Sequence, residues 1–252
     1  MSHWSYQGST ALAILIHEDR FPQAAAATTG QVGIGVGDGI GIGIGNGGGG
    51  GRNRTLVIAN VGDSRAVLCR DGEAIDLTVD HKPNHEAERK RVESLGGKVE
   101  WRGRTDARDN PVPGAGAYRI NGNLALARAI GDRSERPWVS SVPDVSLLSL
   151  EEDRDEFVIL ATDGLWDVVS SQDAVAFVRD FIASSESESE SESESEEEES
   201  RRTEGTTYAS DHALTTTTTT TDRRETAARA FADEAIRRGS KDNLSVVIVW
   251  LS

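Results

Sequence analysis

The chain has 252 residues, 37% of them hydrophobic, and a formal net charge of -15, too acidic for a nucleic-acid surface built on basic patches. Its single cysteine, Cys69, rules out an internal disulfide and fits a reducing compartment, cytoplasmic or nuclear. No apolar run reaches the ~18 residues of a membrane span, and the start lacks the basic segment and cleavage site of a secretory leader.

The first ordered block, "STALAILI" (9–16), is rich in aliphatic residues and predicts a strand. A glycine-rich run, "GIGVGDGIGIGIGNGGGGG", follows at about residues 33–51. It contains G-x-G-x-x-G at Gly43, Gly45 and Gly48, but a run this rich in glycine matches by accident, with no strand–helix context. "TLVIANV" (55–61) predicts a second strand, and "RAVLCRDGEAIDLT" a hairpin turning at Asp71-Gly72. "NHEAERKRVESLGG" predicts a helix with Asn84 as N-cap and Gly96-Gly97 as its stop.

Further along, "FVILAT" (157–162) predicts a strand. "SSQDAVAFVRDFI" predicts a helix, with Ser170 and Asp173 at capping-box spacing and Val175, Val178 and Ile182 recurring at helical intervals. The run "SSESESESESESEEEES" (184–200) holds nine glutamates, more than half of the net charge, and "TTTTTTT" fills 215–221. Such runs bury too little apolar surface to offset their ordering entropy, so disordered insertions are expected at about 30–54 and 184–221. "RETAARAFADEAIRRG" predicts a second helix ended by Gly239, and "LSVVIVWL" (244–251) a buried strand. Neighbouring strands with single helices predict an α+β fold with largely antiparallel sheets.

Three acids sit at ends of strong apolar strands: Asp63 after "LVIANVG", Asp163 after "FVILAT", and Asp242 before "NLSVVIVWL". Taken singly, an acid in such a place is usually a turn former, and Asp167 could simply open the turn before the next helix. If the strand ends converge, the carboxylates need something positive between them. Oxygen ligands without a Cys or His cluster favour Mg²⁺ or Mn²⁺ over Zn²⁺.

The words around these acids resemble the metal-dependent protein serine/threonine phosphatases, the PPM or type 2C family. "GSTALAILI", "ANVGDSRAVLCRDGEAIDLTVDHKP" and "ERKRVESLGGKV" match its early strand, its G-D-S-R and D-H-K-P words, and its flap helix. "INGNLALARAIGDRSERPWVSSVPDV", "DEFVILATDGLWDVVSSQDAVAFV" and "GSKDNLSVVIV" match its later words in the same order. The resemblance implies a sandwich of two antiparallel β-sheets flanked by helices. It also implies a phosphoserine/phosphothreonine hydrolase in which water bridging two Mg²⁺ or Mn²⁺ ions attacks phosphorus.

By resemblance, Asp163 and Asp242 are core metal ligands, and Asp63 and Asp167 belong to a weaker third ion, while Trp166 packs beneath the site. No catalytic side chain or phosphate-binding residue is assigned. Cys69 reads as core packing, His81 as a turn residue, and Arg128 and Arg133 as solvated or flap-packing groups. His85 reads as a helix start, and His212 lies between low-complexity runs. A phosphoprotein substrate, a monomeric state, and no nucleic-acid or membrane partner complete the expectation.

The family's early Asp-Gly-His word occurs nowhere in the 252 residues, and Glu18-Asp19 falls after the first matching strand. The expectation is therefore of a longer natural product whose upstream segment carries that word. A catalytically inactive relative acting as a binding module is the alternative.

Overall fold

The computed structural model describes residues 7–19, 53–184 and 220–251. In chain order it begins with β1 (Gly8–Ser9), β2 (Ala11–Asp19), β3 (Asn53–Val61), β4 (Arg65–Arg70), β5 (Glu73–Asp76) and α1 (Glu86–Ser94). Five strands follow: β6 (Val99–Thr105), β7 (Pro111–Ile120), β8 (Ile130–Gly131), β9 (Asp144–Ser149) and β10 (Asp155–Ala161). The C-terminal part holds α2 (Asp163–Trp166), α3 (171–184), α4 (Thr220–Arg237) and β11 (Val246–Trp250).

Period-two side-chain alternation builds the core. A four-stranded sheet runs in the order β11-β10-β4-β5, and a three-stranded sheet in the order β2-β3-β9, with antiparallel pairing throughout. On β4, Ala66 and Leu68 point between the sheets, where they meet Leu56 and Ile58 of β3 and Val158 of β10. Val67 and Cys69 point the other way, with Phe157 and Ile159 of β10, onto Val175 and Val178 of α3 and Phe231 of α4. A one-residue slip of β4 would turn each set into the wrong layer. Cys69 is fully buried there, and burial, aided by Glu156, pushes its thiol pKa up to about 12. It is core packing, as its strand position suggested.

The sandwich agrees with the sequence reading, but the helices do not flank it evenly. Among the described residues, α3 and α4 cover the outer face of the four-stranded sheet. The outer face of the three-stranded sheet presents Leu15, Val145 and Leu147 at 63%, 55% and 50% exposure.

Several boundaries move. The Asp71-Gly72 turn is present, with both residues at positive φ (52° and 80°), the geometry that matches strand twist in a two-residue hairpin. Helix α1 starts one residue later than Asn84 implies: His85 is the N-cap and makes no side-chain capping bond. Asp173 N–H donates to Ser170 Oγ at 3.1 Å, so half of the foreseen capping box closes.

The insertion bounds are too wide. Asn53 and Arg54 already belong to β3, residue 184 ends α3, and Thr220 and Thr221 open α4. The rest of both insertions, with the glycine triplet and His212, lies outside the described residues.

Candidate metal centre

Two loops at one end of the four-stranded sheet are stitched together around Gly164. Thr162 N–H donates to the Ser245 carbonyl, Ser245 N–H to Thr162 Oγ1, and Thr162 Oγ1–H to the Asn243 carbonyl. Ser240 Oγ–H donates to the Gly164 carbonyl at 2.6 Å. A Cβ on Gly164 would stand 2.7 Å from the Asn243 carbonyl oxygen and 3.3 Å from Asp242 Cβ, so only glycine allows this approach. These bonds set exposed Asp242 beside Asp163, the first residue of the short helix α2. Trp166 packs beneath: its Nε1–H donates to the Ala161 carbonyl at 3.0 Å, and the Arg65 guanidinium lies 5.3 Å from its ring centroid.

The four acids singled out in the sequence act on one another. Burial pushes the Asp163 carboxyl above the usual carboxylate range. Asp63 raises it further, Lys82 pulls it back, and Asp167 and Asp242 add to the rise. Like charges gathered around one carboxylate have this effect, and a cation among them reverses it. Asp63 is buried at 5% exposure, whereas Asp167 is exposed. Among the described residues, however, no three acids close into a ready-made ligand group. The donors suit a hard divalent cation through one or two carboxylates plus water, and they fall short of a complete protein cage.

Two participants were missed in the sequence. Lys82 Nζ donates to Asp63 Oδ2 and lies 4.0 Å from Asp163 Oδ2. Burial works against its ammonium, but Asp63, with Asp163 and Asp167 behind it, holds its pKa above the ordinary lysine value. Asp132 lines the same cleft as Asp63, Thr162 and Asp163. It is buried, and desolvation raises its carboxyl against the pull of Arg136. The D-H-K-P and A-I-G-D words were the available signals, but neither spacing nor charge marked these residues.

Histidine and arginine take structural parts. Gly62 N–H donates to His81 Nδ1 at 3.0 Å, so the ring proton sits on Nε2 and is donated to Asp144 Oδ2, also at 3.0 Å. His81 thereby pins the loop that carries Asp63. Arg128 pairs with Glu88 of α1 and Asp144 of β9, a packing role. Arg133 is exposed at the start of a short 3₁₀ turn.

The Protein phosphatase 2C family model matches residues 51–244, well over half of the chain. A rice relative, "Probable protein phosphatase 2C 6" of Oryza sativa subsp. japonica, is 38% identical over 197 residues, covering 78% of this chain and 35% of the relative. "Probable protein phosphatase 2C 14" of Arabidopsis thaliana is 46% identical over 131 residues, 52% of this chain and 26% of that protein. The chain thus spans well under half the length of these curated relatives. Among solved structures, a C. elegans sex determining protein superposes with a TM-score of 0.56 at 28% identity. That match covers 79% of this chain and 37% of the other. A Toxoplasma gondii phosphatase gives a TM-score of 0.50 at 29% identity, covering 79% and 48%.

Proposed function

The chain belongs to the protein phosphatase 2C family, and from that premise we propose that it acts as a metal-dependent hydrolase of phosphoserine and phosphothreonine in proteins. One observation carries this reading: Asp63 and Asp163, from two different loops, line one cleft at an end of the sandwich, and Asp63, Asp167 and Asp242 together push the Asp163 carboxyl up. Carboxylates so gathered favour a divalent cation, and their hard oxygens suit Mg²⁺ or Mn²⁺. Asp163 and Asp242 are the proposed holders of the principal ion, with Asp63 and Asp167 serving a weaker one. When bound, such an ion activates water and neutralises phosphate charge.

The chain's own residues contribute position. The bonds of Thr162, Ser240 and Ser245 hold the Asp163 and Asp242 loops at fixed separation. Trp166 closes the floor against the core, and His81 fixes the Asp63 loop from behind. Positioning of this sort supplies much of the catalysis in phosphoryl transfer. The substrate is a phosphoprotein, and the domain works as a monomer interrupted by the low-complexity insertions, narrowed to about residues 30–52 and 185–219.

Hydrolysis of p-nitrophenyl phosphate and of a phosphothreonine peptide by the purified chain, with Mn²⁺ titrated, tests this. Turnover should require Mn²⁺ and disappear with EDTA or in Asp163→Asn. A folded chain without turnover at any Mn²⁺ concentration would overturn the hydrolase reading for these 252 residues and leave either a longer natural product that supplies the Asp-Gly-His word or the binding-module alternative.

A further inference from the structure

The cluster already contains a cation of the chain's own. Lys82 Nζ donates to Asp63 Oδ2 and stands 4.0 Å from Asp163 Oδ2, bridging the candidate ligands of two different loops. Its side chain is 34% exposed, so it has room to swing out. Its backbone does not move freely. Lys82 N–H donates to the Asp80 carbonyl at 2.8 Å, and Asp80 itself receives a two-point bond from Arg65. The preceding His81 is tied through its N–H to the Gly62 carbonyl, through its ring to Gly62 and Asp144, and through its carbonyl to Ala127. The following Pro83 is buried and fixes its own φ. The ammonium is therefore delivered to Asp63 by a rigid three-residue segment, unlike an ordinary surface lysine.

Asp63 is only 5% exposed, and a buried carboxylate needs a partner charge. A divalent ion and an ammonium gathered on the same carboxylate oxygen repel each other, so each weakens the hold of the other. We propose that Lys82 is the resident counter-ion of the Asp63 side of the cluster and competes with a divalent cation for it. The weaker ion then enters only as the Lys82 side chain rotates toward solvent. This inference rests on the metal-site reading of Asp63 and Asp163, and it explains from this chain's own residues why the Asp63 side would bind the more weakly.

Mn²⁺ binding to the purified chain, measured by titration calorimetry, is the test. Lys82→Met should tighten the Asp63-dependent binding several-fold, up to about fivefold, the scale of one partly exposed ion pair. Lys82→Arg should behave as the wild type does, and adding Asp63→Asn to Lys82→Met should remove the gain. Binding in Lys82→Met equal to or weaker than that of the wild type overturns the proposal. Asp163→Asn separates the two readings: if it abolishes Mn²⁺ binding, the metal site stands whatever Lys82 does. Absence of binding in both wild type and Lys82→Met overturns both readings. A measurement on the unmutated chain covers the case of a misfolded variant. Reductive methylation, mapped by mass spectrometry, should modify Lys82 several-fold faster with Mn²⁺ than without. An unchanged or slower rate also overturns the proposal.

Discussion

Ser240 Oγ–H donates to the Gly164 carbonyl at 2.6 Å, across 76 positions of sequence, and so holds the Asp242 loop against the helix that begins at Asp163. The site is assembled by this contact and by the lack of a side chain at Gly164. Ser240→Ala should cost about 1 kcal/mol, the usual net worth of such a bond, or roughly 2–4 °C in a domain of this size. Gly164→Ala should be worse on both counts, because its methyl would stand 2.7 Å from the Asn243 carbonyl oxygen. Thermal melting and Mn²⁺ calorimetry check this. A Gly164→Ala protein that melts and binds Mn²⁺ as the wild type does would show that the loops have slack.

Asp163 and Asp63 should respond in opposite directions to loss of charge. Asp163 suffers repulsion from Asp63, Asp167 and Asp242. Asp163→Asn should therefore raise the metal-free melting temperature by a few degrees while weakening Mn²⁺ binding more than Asp63→Asn does. Asp63→Asn should lower the metal-free melting temperature, because it leaves the Lys82 ammonium without its main partner. Equal effects of the two variants on Mn²⁺ affinity would count against the ranking of the ligands.

Much of this arrangement was legible in the sequence where one periodicity ruled. β4 and β10 bury both faces, and α3 carries its apolar stripe at helical spacing, so each was foreseen within a residue or two. β9 was missed because Val145 and Leu147 are apolar yet point outward, which erases the alternation that marks a half-buried strand. The β6–β7 ribbon was hidden by Pro111, Pro113 and its glycines. Among the described strands each of the two pairs only with the other, so proline costs little there. Its turn is closed by Asp106, which accepts from the N–H groups of Arg108 and Asn110. Three of the carboxylates stood out because each ends a strong strand. Lys82 did not, since it lies 19 residues from Asp63 and 81 from Asp163, and only the fold closes those gaps.

Acid should loosen the link between α1 and the sandwich. Burial alone would raise the Glu88 carboxyl, but Arg128 and Arg91 hold it below its ordinary 4.5. A depressed carboxyl contributes stability that is present above the unfolded value and lost as pH falls through the folded one, here below about 4.5. Asp144, lowered by His81 and Arg128, adds to the same loss. Glu88→Gln should destabilise the protein at neutral pH by about 2–3 kcal/mol, since it leaves two arginines short of a buried partner. It should also flatten the fall in stability below pH 4.5. Urea midpoints measured from pH 7 to pH 3 check this, and parallel curves for the two proteins would contradict it.

The outer face of the three-stranded sheet is the place where this chain should stick to itself. Along the register, Ala13 lies beside Ala59 and Val145, and Leu15 beside Val57 and Leu147, so the outward positions of three strands form one apolar face. Leu15, Val145 and Leu147 are half exposed or more. β2 is also an edge: it pairs with β3 alone among the described strands, over nine residues without a register shift. A long, regular, apolar edge beside an apolar face is a template for association, and a charge on it is the usual safeguard. Leu15→Lys with Leu147→Lys should therefore slow aggregation and cut binding of a hydrophobic dye several-fold. The change should leave the melting temperature within a few degrees, because neither side chain is in the core. Light scattering at rising concentration, read beside melting curves, decides it. If dye binding and aggregation are unaffected in a folded double variant, the face is already covered in solution.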